Sequence, residues 1–329
     1  MQRPSLSNWL KWVTQGVHEL HSEPPGEIIL DQGRGTIPLE KKNFLPLYPG
    51  KQSRKIAVID GGSAAIFASQ AFTVGLVKVY GAFFENGQCT EQHSESTTAI
   101  LRMTKGKKIE VKIEHLTAPV LFESNLLPQS KGPLQAALNQ VRNAMELTTA
   151  RTLAEKLHPG DLLLLDGSLT AGSEYDTLLY ESLLDVARNR NVLVLALSKT
   201  TQLACTSGLG AVTALRLIEP QKAAWIYQGY IGERSTHFAK LHPKAPHILR
   251  IDGPNEPIDV YVQALEHLLT LSKDPAFLGY PFPLIRAHTR AKIIPEDANV
   301  RSAILRANLG RAGDITLEQE TGHETLDKS

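Results

Sequence analysis

The stretch that most constrains this chain is Asp161–Leu169, DLLLLDGSL. Four leucines run unbroken into Asp166-Gly167-Ser168. A run that short and apolar, closed by glycine, reads as a strand covered on both faces. The Asp166 carboxylate then stands where a buried strand gives way to a loop, where open α/β sheets place ligand chemistry. Further upstream Ile56–Ser63, IAVIDGGS, repeats the pattern, an apolar strand closed by Asp60-Gly61. Two carboxylates delivered by two buried strands suit a metal site or acid–base work.

The gross numbers narrow the setting. A length of 329 residues allows one large domain or two ordinary ones. A formal net charge of +1 excludes a global pull toward nucleic acid or membrane, so any polyanion contact must come from local patches. Cys89 and Cys205 have neither CxxC nor zinc spacing, so a disulfide framework is not expected. The opening MQRPSLSNWLKW lacks a signal-peptide core, and no run approaches eighteen apolar residues. A cytoplasmic location is the expectation.

Taken in order, residues 6–20 place Leu6, Trp9, Leu10, Val13, Val17 and Leu20 at helical spacing. The Pro- and Gly-rich stretch 21–54 reads as an irregular arm with at most one short strand, at Glu27–Leu30. After the Asp60 strand, Phe72–Phe84 is β-rich, Asn86-Gly87 marks a hairpin, and a third strand is expected near Cys89–Ser94. A basic turn at Lys105–Lys108 precedes a strand at Ile109–Ile113. Pro133–Leu157 carries one apolar stripe from Leu134 to Leu157 and is the clearest helix. Glu146 sits at the edge of that stripe, one turn beyond Arg142, where it can turn toward the sheet. Taken alone it would be an ordinary solvent-facing or salt-bridged glutamate. A helix from Ser173 and a strand at Asn191–Leu197, ending at Ser198-Lys199, follow with βαβ spacing. Ala211–Ile218, Trp225–Ile231 and His247–Ile251 read as strands, and Asn255–Leu271, Leu284–Ile293 and Asp297–Leu309 as helices. Residues 314–329 are acidic, lack aromatics and read as a disordered tail. The boundaries expected are an arm over 1–54, a main domain over 55–313 and that tail.

Antiparallel strands with a hairpin, then alternating helices and strands, is the order of an RNase H-like α/β fold: a mixed sheet flanked by helices, here with extra C-terminal strands and helices. Such folds bring strand-end carboxylates and a helix carboxylate to one divalent-metal centre. Two metals roughly 4 Å apart can activate water and neutralise a phosphodiester, and Mg²⁺ or Mn²⁺ take oxygen ligands.

IAVIDGGS, the AMEL segment around Glu146, DLLLLDGSL and the late GYPFPLIRAHTRAKI together resemble the NurA nuclease family over roughly residues 45–295. That resemblance implies a Mn²⁺-dependent deoxyribonuclease, with Mg²⁺ as the alternative and two ions in the site. It implies a protein that digests single-stranded DNA, resects ends 5′→3′, forms a homodimer and works with a HerA-type hexameric DNA-translocating ATPase. Residue by residue, the family's first Asp falls on Asp60, its helix Glu on Glu146, its second Asp on Asp166 and its late His on His288. Asp60, Glu146 and Asp166 would ligate metal, with His288 a further ligand, a proton donor or a phosphate contact. Lys199, Arg286, Arg290 and Lys292 are candidate DNA contacts. Two departures stand out. Asp60-Gly61-Gly62-Ser63 carries one glycine more than the family's usual Asp-Gly-Ser. The family's aromatic hydroxyl should fall near 230–238, where Tyr230 and Ser235-Thr236-His237-Phe238 stand without a decisive match.

Two rival readings share these residues. An actin- or sugar-kinase-like ATPase also uses Asp-Gly turns, but this chain lacks a second nucleotide-binding half. A catalytically silent adaptor of a DNA translocase would not need all four polar residues that are present.

Overall fold

The computed structural model describes residues 10–16, 26–50, 54–69, 71–105, 108–114, 116–123, 132–169 and 174–310. Residues 10–16 form α1. The chain continues through β1 (Glu27–Ile29), β2 (Thr36–Pro38), β3 (Phe44–Pro46), β4 (Ile56–Ala68), β5 (Phe72–Glu85), β6 (Gln88–Met103), β7 (Lys108–Ile113) and β8 (Val120–Glu123). Next come α2 (Pro133–Glu155), β9 (Leu162–Asp166), α3 (Glu174–Arg190), β10 (Leu193–Ser198), α4 (Ala211–Ile218), β11 (Trp225–Tyr230), β12 (Arg234–Lys240) and β13 (Leu249–Pro254). Three helices close the described chain: α5 (Ile258–Leu269), α6 (Phe282–Ala291) and α7 (Pro295–Leu309). Contacts divide the chain into two compact units. The larger comprises Ser53–Asp166, Ala171–Val194 and Phe282–Ser329, and the smaller comprises Met1–Gln52, Gly167–Thr170 and Leu195–Pro281.

The larger unit is a mixed sheet in the order β9-β4-β5-β6-β7-β8. β4 and β9 run parallel, with Ile59 opposite Leu165, and the other neighbours are antiparallel. Leu162–Leu164 are fully buried and Leu165 nearly so, as expected of a strand covered on both faces. Alternate residues of a strand face opposite sides, and β4 records which helix lies where. Ser63 hydrogen-bonds Asn139 of α2, and a side chain at Gly61 would point at Glu146 of α2. A side chain at Gly62 would instead strike the Ala291 carbonyl at the end of α6. Phe84, paired with Ile56, stacks edge-on against Phe282 of α6. Thus α2 covers one face of the sheet and α6 the other.

The smaller unit holds β3-β11-β12-β13-β10, antiparallel throughout. Its core joins Ile28, Ile37, Leu215, Trp225, Tyr227 and Phe238, so the β1–β2 ribbon and α4 pack with the sheet.

Four expectations need correction. Asp60 lies inside a 13-residue strand and not at its end. The third strand is 16 residues long, extending far beyond Ser94. Ala211–Ile218 is a helix, burying Ala211, Ala214 and Leu215 at i, i+3 and i+4. The N-terminal arm holds three short strands where one was expected. The hairpin at Asn86-Gly87 is present, with φ of 50° and 76° as a primed turn requires. Residues 106–107, Ser173 and the 314–329 tail lie outside the described residues, as do most of 1–25.

Candidate metal centre

The site is assembled within the larger unit from β4, β9, α2 and α6. The parallel register sets Asp60 beside Asp166, one position past the Ile59–Leu165 pair. Asp166 is the last residue of β9, where the leucine run ends. His288, on α6, places Nδ1 2.8 Å from Asp60 Oδ2 and 3.4 Å from Asp166 Oδ2. One ligand atom from each of Asp60, Asp166 and His288 lies within 4.8 Å of the others. Asp60 is buried, whereas the His288 side chain is 59% exposed, so the cluster opens to solvent on the imidazole side.

Glu146 reaches the same strand from the opposite face, over Gly61. A methyl group at residue 61 would occupy the space of the Glu146 carboxylate. Gly61 is therefore the opening through which a helix carboxylate approaches the strand that carries Asp60. Arg142, one turn back on α2, stands 3.5 Å from Glu146 Oε1 and also donates to the Gly61 carbonyl. Glu146 Oε1 is buried without a hydrogen-bond partner. Gly62 does the corresponding work for α6: the Ala291 carbonyl sits where a side chain would be. The extra glycine in Asp-Gly-Gly-Ser is thus where the histidine helix closes on the sheet.

These placements raise the electrostatic cost of ionisation. Burial, and then the Asp166 carboxylate, push the Asp60 carboxyl up to about 6, against the opposing pull of His288. Burial pushes Glu146 up to about 7, with Asp60 and Asp166 adding to it and Arg142 opposing. The cluster presents oxygen and imidazole donors, one of them a buried carboxylate oxygen that accepts no hydrogen bond. That donor set fits a hard or borderline divalent cation such as Mg²⁺ or Mn²⁺. Asp60, Asp166 and His288 would form its nearest shell, with Glu146 approaching from behind Gly61.

The remaining candidates are scattered. Arg290 is exposed on α6 with no side-chain partner among the described residues. Arg286 is held on the sheet, 3.5 Å from Gln92 Oε1, which also accepts from Tyr80. Sequence gave no sign of that anchoring, because Tyr80 and Gln92 come from two other strands. Lys199 follows β10 in the smaller unit, its Nζ 4.1 Å from the centre of the Tyr280 ring. The 230–238 segment also belongs to the smaller unit. Tyr230 ends β11, while Ser235, Thr236 and His237 are fully buried in β12. Burial lowers His237 to about 4, and its Nδ1 accepts from the Gly229 amide, so it is a neutral core histidine.

No protein-family profile and no curated protein matches the sequence. Among solved structures, the NurA nuclease from Sulfolobus solfataricus superposes with a TM-score of 0.60 at 15% identity. The match covers 94% of this chain and 98% of that one. Human endonuclease V matches with a TM-score of 0.40 at 12% identity, over 80% of this chain and 94% of its own. The chain has the fold of the NurA nuclease, an RNase H-like α/β fold with additional C-terminal strands and helices.

Proposed function

We propose that this protein is a divalent-metal-dependent deoxyribonuclease. The observation that carries the reading is the convergence of Asp60, Asp166 and His288 within 4.8 Å, on neighbouring parallel strands and a helix, in a fold shared with a NurA nuclease. Asp60, Glu146 and Asp166 hold the cation, and His288 completes the set or carries a proton at Nδ1. Mn²⁺ or Mg²⁺ bound there, as two ions, would supply an activated water near neutral pH and offset charge on the phosphoryl oxygens. Gly61 and Gly62 keep the helix carboxylate and the imidazole at their working distances. The exposed side of His288 leaves an approach for a strand of DNA.

The finer reading follows the same family: digestion of single-stranded DNA and 5′→3′ resection of ends by a cytoplasmic homodimer, with a HerA-type hexameric translocase as partner. Lys199, Arg286 and Arg290 are its DNA-contact candidates. Release of label from end-labelled single-stranded DNA in Mn²⁺ tests the core of it. Asp60→Asn and Asp166→Asn should each lower the rate by about 10²–10⁴-fold. Undiminished cleavage by both variants would refute the assignment.

A further inference from the structure

Beside the metal centre, in the same unit, a groove of about 380 Å³ opens between the sheet and the α6–α7 joint. Its basic lining is Lys78, Lys292 and Arg301. None of these three side chains makes a hydrogen bond or ion pair among the described residues, although Glu114 and Asp297 line the same groove. Both acids are otherwise placed. Glu114 accepts the Thr98 amide, and Asp297 sits in the first turn of α7, where a helix N-terminus favours negative charge. Three cations are left facing an open groove.

Their positions follow the site. Lys78 pairs with Gly62 across β4 and β5, so it shares the sheet face of Asp60 and stands two residues, roughly 7 Å, farther along. Ser96 pairs with Lys78 and continues the row onto β6 with a hydroxyl. On the helix side, the Lys292 amide donates to the His288 carbonyl. Lys292 is therefore one turn, about 5.4 Å, beyond the imidazole on the same face. Asp60 and His288 form one pair across the gap between sheet and helix, and Lys78 and Lys292 form the next.

We propose that this groove seats the sugar-phosphate backbone of a single nucleic-acid strand, with Lys78, Lys292 and Arg301 contacting phosphates next to the one held at the metal centre. A polyanion is the complementary occupant of three unpaired cations, and a strand lying across Asp60 continues directly into them. The groove has no aromatic side chain in its lining for base stacking, so contacts there are to backbone and carry no base preference. The inference rests on the nuclease reading only in taking the seated strand to be the substrate.

Binding of a dye-labelled oligothymidylate, followed by anisotropy across a salt series, tests it. The measurement uses the Asp166→Asn protein as parent, so that the strand survives. Adding Lys78→Gln, Lys292→Gln and Arg301→Gln should weaken binding about tenfold or more and reduce the log–log salt slope by about 2. The pair Lys292→Gln/Arg301→Gln leaves half-buried Lys78 intact and should lose about two-thirds of that slope. An unchanged slope in both variants overturns the proposal and leaves the groove to an acidic protein partner. Absence of oligothymidylate binding by the parent overturns it as well. Loss of slope together with a wild-type protein that cleaves no DNA in Mn²⁺ would refute the nuclease reading and leave the groove standing.

Discussion

The most informative residues are carboxylates whose folded environment resists their charge. In an unfolded chain Asp60 and Glu146 titrate near 3.8 and 4.5, whereas in the fold they rise to about 6 and about 7. Between those limits the native state binds more protons than the unfolded one, so stability falls as pH rises from about 4 to about 7. Melting in EDTA should therefore give a lower midpoint at about pH 8 than at about pH 5.5. Asp60→Asn should flatten that dependence and stabilise the metal-free protein by on the order of 2 kcal/mol at the higher pH, while losing activity. Mn²⁺ should raise the midpoint more at about pH 8 than at about pH 5.5, because protons must leave the ligands first. Equal Mn²⁺ shifts at both values would place the cation elsewhere. In the smaller unit, buried Asp252 accepts from Arg250 Nε at 2.9 Å and Thr236 Oγ1 at 2.8 Å. Asp252→Ala strips a buried guanidinium of its buried countercharge, leaving only the more exposed Asp31, and should cost about 3 kcal/mol in urea unfolding.

At the scale of elements, two adjacent glycines let two helices approach one strand from opposite faces. Gly62→Ala pushes a methyl group into backbone, the Ala291 carbonyl. It should lift α6, misplace His288 and cost about 1–3 kcal/mol. Gly61→Ala meets the far end of a side chain, the Glu146 carboxylate. It should lower cleavage with less loss of stability, and urea midpoints beside rates separate the two. The same glycines explain why Asp60 reads from sequence as a strand end: Gly-Gly after an apolar run signals a turn, but here the strand continues through it. The Asp166 strand was legible because its leucine run, bounded by Pro159-Gly160 and Gly167, is too short for a helix. Ala211–Ile218 was not, since a short apolar run carries no period long enough to separate helix from strand. The first half of β6 was legible from the Asn86-Gly87 turn before it, whereas its continuation to Met103 was not, and that half is a strand because β5 and β7 pair with it on either side. The two strand patterns alone pointed to Asp60 and Asp166 together, but the approach of Glu146 and His288 was legible only through a family resemblance, since their spacing in the chain contains no local motif.

For the molecule as a whole, a net charge of +1 limits what electrostatics can do at a distance. The protein alone should bind single-stranded DNA no tighter than roughly 10⁻⁶ M at physiological salt, with affinity rising when a ring-shaped translocase adds contacts. Titration of labelled DNA with and without the ATPase checks this, and equal affinities would count against the partnership.

The larger unit is drawn from three separate stretches of chain, and the site draws on the first and the last. Asp60, Glu146 and Asp166 lie in Ser53–Asp166, whereas His288 lies beyond Phe282, with the bulk of the smaller unit between them in sequence. During synthesis the three carboxylates emerge early, and the imidazole that offsets their repulsion emerges only after most of the other unit has been made. A ribosome-bound or prematurely terminated chain carries acids without their histidine and without the helix that closes on Gly62. The order of the sequence thus postpones assembly of the centre until the bulk of the smaller unit has been made.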